Sequence, residues 1–142
     1  MAYFRQNWYS SHMPVTIKQK VKFKTTPHAV FEALMDAKQH AAFSGADAKI
    51  SRKTDGKFTA YGDYIEGVNL ELVADQIIVQ QWRANDWPKD HYSIATFRLR
   101  PDKGGTELVF TQTNIPDNKA KTVSAGWKEH YWDKMKLLLE KK

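Results

Sequence analysis

Five histidines and no cysteine bound the chemistry open to this chain. His12, His28, His40, His91 and His130 fall in no HExxH or comparable spacing, and without thiolates only a His/carboxylate metal set remains. His130 is flanked by Glu129 and, three residues on, Asp133. On a helix only the i+3 carboxylate can reach the ring, which makes a surface hydrogen-bonded pair rather than a ligand set. Nucleophilic catalysis has no firmer footing. There is no Gly-x-Ser-x-Gly elbow, and Ser93 follows His91 too closely for a triad. Gly104-Gly105 lacks the spacing of a phosphate loop. Glu66 and Glu71 sit at even and odd positions of one strand, so without a bulge they face opposite ways and form no carboxylate pair. The expectation is a chain with no catalytic residue, no metal and no cofactor.

Aromatic side chains on loops are the other candidates. Trp82 ends a strand, alternating with Ile78 and Gln80, and is expected in the core. Trp87-Pro88 differs, because it lies in the polar loop Ala84-Asn85-Asp86-Trp87-Pro88-Lys89-Asp90. A tryptophan there is either a lid folded over the sheet edge or an exposed anchor of the kind that dominates protein interfaces. Trp87, Pro88, Lys89 and His91 are therefore the candidate partner contacts.

The elements that must position these residues follow from periodicity. From Val15, the residues Val15, Ile17, Val21 and Phe23 fall on one side of a strand and Lys18, Lys20, Lys22 and Lys24 on the other. Thr26-Pro27 opens a helix, with Thr26 as N-cap and Val30, Phe31, Leu34 and Met35 as its apolar face. Asp36 caps a second short helix that ends near Phe43, and Gly45 stops it. An antiparallel meander comes next, with strands near Ala48–Arg52, Gly56–Tyr61, Tyr64–Val73, Gln76–Arg83, Tyr92–Arg100 and Thr106–Thr113. Val68, Leu70 and Leu72 should share a face, and Asp102-Lys103-Gly104-Gly105 should make a hairpin turn. From about Asn118 to Lys141 the stripe Val123, Trp127, Tyr131, Met135 and Leu138 predicts one long helix. Gly126, inside that stripe, should permit close approach of helix to sheet.

Composition bounds the rest. A chain of 142 residues makes one domain and can bury a core without staples. The absence of cysteine, of a signal-peptide core and of a long apolar run points to a cytoplasmic protein. A formal charge of +6, from 22 Lys+Arg against 16 Asp+Glu, favours acidic partners. The cations are spread over strand faces and the last helix, so neither nucleic acid nor membrane is expected as a partner. Residues 1–13 stand apart: Ser11-His12-Met13 suggests a leader left by cloning, while Tyr3, Phe4, Trp8 and Tyr9 suggest a native tail packed on the domain formed by residues 14–142. The fold class is α+β: a curved antiparallel sheet around a long carboxy-terminal helix, with two short helices after the first strand.

The run Ile78-Val79-Gln80-Gln81-Trp82-Arg83, then Asp86-Trp87-Pro88, His91-Tyr92-Ser93 and Thr96-Phe97, resembles the carboxy-terminal domain of the activator of the heat-shock-protein-90 ATPase. Gly56-Lys57-Phe58, Gly67 and Leu70-Glu71-Leu72 upstream are similar to the same domain, as are Ile115-Pro116, Gly126-Trp127, Tyr131 and Met135-Lys136 downstream. The similarity runs from about Val15 to Leu139. It implies the helix-grip (Bet v 1-like) fold and a cochaperone that promotes the chaperone's ATPase cycle without catalytic residues of its own. The family's two-domain activators carry a further amino-terminal domain, so the chain is expected to be a fragment of one or a stand-alone relative. The wider superfamily implies a rival: a carrier or sensor of an apolar small molecule, held by Phe31, Trp82, Phe97, Phe110, Trp127 and Tyr131 between sheet and last helix.

Overall fold

The computed structural model describes residues 14–140, so the expectations for Tyr3, Phe4, Trp8, Tyr9, His12 and Lys141 lie outside the described residues. Strand β1 (Val15–Phe23) alternates as its sequence demands, with Val21 and Phe23 buried and the lysines exposed. Helix α1 (Pro27–Met35) starts where Thr26 Oγ1 accepts the Ala29 amide and Pro27 takes the first turn. Asp36 then caps α2 (Ala37–Ser44), which ends at Gly45 in the left-handed conformation, φ 74°.

Six strands follow: β2 (Lys49–Ile50), β3 (Lys57–Ala60), β4 (Ile65–Val73), β5 (Ile77–Ala84), β6 (Ser93–Asp102) and β7 (Gly105–Ile115). With β1 they form a 7-stranded sheet in the order β1-β7-β6-β5-β4-β3-β2, every neighbour antiparallel. Lys103 and Gly104 both take positive φ in the two-residue turn between β6 and β7, the conformation that matches strand twist. The chain closes through a 3₁₀ turn (Asp117–Lys119), α3 (Ala120–Gly126), a π-helical stretch (Trp127–Trp132) and α4 (Asp133–Leu139), which run on as one closing helix across the sheet. This is the helix-grip architecture. None of the described helices is long and apolar enough to cross a membrane.

Three local expectations fail, each for a physical reason. The register of β4 against β5 slips between Asn69 and Glu71. That bulge at Leu70 separates Val68, opposite Gln81 on the outer face, from Leu72, opposite the buried Ile78. It also turns Glu66 and Glu71 to the same outer face, opposite Arg83 and Val79, away from the core. The π stretch moves helix neighbours from i+4 toward i+5. Asp133 consequently pairs with Lys128 Nζ at 2.9 Å instead of with His130, and Trp132 joins Trp127 and Tyr131 on the buried side. Gly126 makes no close approach: a Cβ there would meet only the His130 ring, at 3.8 Å.

Close approach belongs to Gly67. A Cβ on it would sit 1.9 Å from the Gln81 carbonyl oxygen, which cannot withdraw without disturbing the β4–β5 ladder, and 2.6 Å from the Phe58 ring, which is packed in the core. Gly67→Ala is expected to lower stability by about 2 kcal/mol or more through overpacking. The shift of the urea unfolding midpoint measures it, and an unchanged midpoint would contradict the packing described.

Candidate functional site

One end of the sheet gathers the β5–β6 loop, the β3–β4 turn and the start of the closing helix. Within the loop, Trp87 is 4% exposed. Its ring lies 5.4 Å from that of Trp82, which in turn lies 5.5 Å from Trp127, so tilted indole contacts anchor the loop to the core. Of the two placements that sequence left open, the lid holds and the exposed anchor does not. A tryptophan five residues from a strand-end tryptophan folds back because burying both rings together removes more apolar surface than leaving one in water.

Arg83 fixes the loop's path. Its Nη2 donates to the carbonyl oxygens of Trp87 at 2.6 Å and Pro88 at 3.1 Å, while Nη1 meets Glu66 at 3.3 Å. His91 Nε2 donates to the Asn114 carbonyl at 2.9 Å, with its ring edge-on to Trp87 at 6.0 Å. Asp86 accepts from the Tyr64 hydroxyl and from Lys119 Nζ, tying the loop to the β3–β4 turn and to the 3₁₀ turn. With both ends held, Pro88, Lys89 and Asp90 project into solvent. Of the four candidate contacts, the structure presents Pro88 and Lys89 outward, half-buries His91 and buries Trp87. Sequence reasoning missed Arg83 as the residue that shapes this loop; its place beside Trp82, ahead of a polar loop, was the only signal.

Beside the loop lies an apolar cleft of about 470 Å³ between the sheet end and the closing helix. Trp82, Trp127 and Tyr131 line it, together with Tyr61, Tyr64, Ile65 and the helix residues Val123, Ala125 and Gly126. The other expected lining residues lie elsewhere. Phe97 borders only a small internal void of about 20 Å³, and Phe31 and Phe110 are packed in the core. Phe110 touches Trp127 at 4.4 Å and Phe97 at 5.1 Å between ring centres, leaving no room for a ligand there.

Behind Tyr131 sits His40, buried on α2, with Nε2 2.9 Å from the Tyr131 hydroxyl and Nδ1 without a partner. Burial pushes His40 down to about 4 and Tyr131 upward. The contact joins α2 to the closing helix through two buried side chains. Among the described residues no three histidines or carboxylates gather to hold a metal ion.

The fold and this loop-and-cleft arrangement define a helix-grip domain whose β5–β6 loop is tied down by side-chain hydrogen bonds at one sheet end. Residues 24–140 match the family model described as "Activator of Hsp90 ATPase homolog 1-like protein". The chain belongs to that family. It is 32% identical over 122 residues to the "Activator of 90 kDa heat shock protein ATPase homolog" of Dictyostelium discoideum, covering 85% of this chain and 32% of that protein. The mouse "Activator of 90 kDa heat shock protein ATPase homolog 2" is 28% identical, covering 83% of this chain and 36% of that protein. The chain thus spans about a third of the length of the curated relatives it matches. Among solved structures, an HSP90 activator from Plasmodium falciparum superposes with a TM-score of 0.81 at 23% identity, covering 87% of this chain and 94% of that one.

The depressed His40 makes a pH prediction. Between pH 6.5 and about 4 the unfolded chain takes up the proton and the folded one does not, so stability is full above 6.5 and falls as the pH drops toward 4. The loss assigned to this one group is on the order of 3 kcal/mol. His40→Gln keeps a partner for Tyr131 and should remove that share of the acid sensitivity in urea titrations at pH 7 and pH 4. An identical pH dependence in both proteins would contradict the assignment.

Proposed function

We propose that this chain is a cochaperone-type module of the cytoplasm that contacts a heat-shock-protein-90 chaperone and promotes its ATPase cycle. The match of residues 24–140 to a family named for that activation carries the proposal. The loop supports it physically. Its backbone is held by Arg83, His91 and the Trp82–Trp87 contact, so a partner meets Pro88 and Lys89 on a surface already ordered, at little entropic cost. A chain of formal charge +6 is steered toward an acidic chaperone face. Activation then requires tighter binding to the chaperone's catalytically competent conformation than to its open one, since equal affinity shifts no population. No catalytic residue of this chain is involved.

Lys89→Glu combined with Pro88→Ala is expected to weaken chaperone binding by about 1 kcal/mol or more, roughly fivefold, while leaving the melting temperature in place. Trp87→Ala is a poorer probe, because truncating a buried tryptophan costs about 3–5 kcal/mol of stability on its own. Calorimetric titration of the chaperone, paired with its ATPase rate, reads the effect. Undiminished affinity of the double variant would remove the loop from the interface. A chaperone that neither binds the intact chain nor changes its ATPase rate would end the cochaperone proposal.

A further inference from the structure

Strand β1 is one edge of the sheet, paired with β7 on a single side. The direction of its backbone groups is fixed at its end. A Cβ on Gly105 of β7 would sit 2.4 Å from the Phe23 carbonyl oxygen, so Phe23 turns its peptide groups toward β7. The register runs unbroken from Ile17 to Phe23, so Ile17, Gln19 and Val21 do likewise. By alternation, the N–H and C=O of Lys18, Lys20 and Lys22 point away from the sheet. Among the described residues none of these groups meets a backbone partner. The next amide on that side, of Lys24, donates to a Glu140 carboxylate oxygen at 2.8 Å.

The three lysines also share one exposed face. Among the described residues only Lys22 of the three has a carboxylate partner, Asp102 at 3.4 Å. Arg98 on β6 extends the positive face, since it and Lys20 flank Val109 in one cross-strand row. Lysines on an edge strand guard it against pairing with other copies of the chain. Antiparallel pairing of β1 with a second β1 would set Lys20 against Lys20 and Lys18 against Lys22, like charge opposite like charge. A carboxylate in the incoming position reverses that sign. On the inner face Ile17 is half-buried at the margin of the core, where an added apolar residue gains cover.

We infer that the β1 edge binds an extended acidic segment of a partner protein as an added antiparallel strand. Carboxylates at alternate positions lie opposite Lys18, Lys20 and Lys22, with apolar residues between them. The lysine backbones supply hydrogen bonds, and the lysine side chains select the charge of the incoming strand. Each acidic residue exchanges both of its peptide groups with the lysine opposite, while the apolar residues turn theirs outward. This edge is distinct from the loop at 85–91, and the inference does not rest on the chaperone contact.

The probe is an acetylated and amidated peptide, Val-Glu-Val-Glu-Val-Glu-Val, titrated calorimetrically into the full-length chain. It should bind saturably, one per chain. At saturation, hydrogen exchange at the amides of Lys18, Lys20 and Lys22 should slow about tenfold or more, while Ile17, Gln19 and Val21, already bonded to β7, keep their rates. N-methylation of the glutamates should weaken binding about tenfold or more, whereas N-methylation of the valines should change it by about twofold at most. Lys18→Glu combined with Lys20→Glu should weaken binding about fivefold or more at an unchanged melting temperature, because both side chains are exposed. Absence of saturable binding, equal binding by the two methylated peptides, or unaltered exchange at the three lysines would each overturn the inference, as would undiminished binding by the double variant.

Discussion

A run of buried hydrogen bonds from the closing helix into the sheet organises this molecule. Trp127 Nε1 donates to Gln112 Oε1 at 2.7 Å, Gln112 Nε2 donates to Ser93 Oγ at 2.9 Å, and Ser93 Oγ donates to the Trp82 carbonyl at 2.8 Å. Gln112 is 0% exposed, so each of its polar atoms must find a partner inside the protein. Losing one partner would strand a buried amide at a cost of about 1–3 kcal/mol, which makes the chain of bonds specify where the helix lies as well as hold it there. A second tie does the same farther along: Trp132 Nε1 donates to Gln19 Oε1, and Gln19 Nε2 donates back to the Ser124 carbonyl.

The π stretch is what lets both ties form. It places Trp127, Tyr131 and Trp132 on the buried side together, with the two indoles stacked at 5.4 Å and 21°. Both indoles thus reach glutamines, on β7 and β1, and Tyr131 reaches His40 on α2. The same hydrogen-bond run ends at Trp82, the last inward aromatic before the exposed loop. The outward position of Pro88 and Lys89 is therefore inherited from the interior. Trp127 positions Gln112, the sheet positions Trp82, and Trp82 with Arg83 positions the loop.

Much of this was legible in the residues. Alternation placed β1 and β5 correctly, Thr26-Pro27 and Asp36 marked both helix starts, and Trp82 was expected in the core. Gln112 itself lies in phase with Phe110, on the inward face of its strand, although its importance shows only once Trp127 is opposite. The misses share a cause. A bulge at Leu70 adds one residue that a period of two cannot register, and a π stretch breaks a period of 3.6 without changing composition. Trp87 could not be assigned to lid or anchor, because the deciding contact with Trp82 is made by the fold. Of the expected cavity lining, Trp82, Trp127 and Tyr131 do border the cleft, whereas Phe31, Phe97 and Phe110 pack against one another or their neighbours; the open space lies at the sheet end, where small helix residues leave it.

The proposed contact surface lies at the sheet end, above an interior filled by the core aromatics. Amide spectra of the ¹⁵N-labelled chain, recorded with and without unlabelled heat-shock-protein-90 chaperone, test it most directly. Perturbation should concentrate on residues 85–91 and the adjoining turns while the Trp127 and Trp132 indole signals keep their positions. Perturbation confined to the far end of the sheet, around the β6–β7 turn, or large shifts of those two indoles, would contradict it.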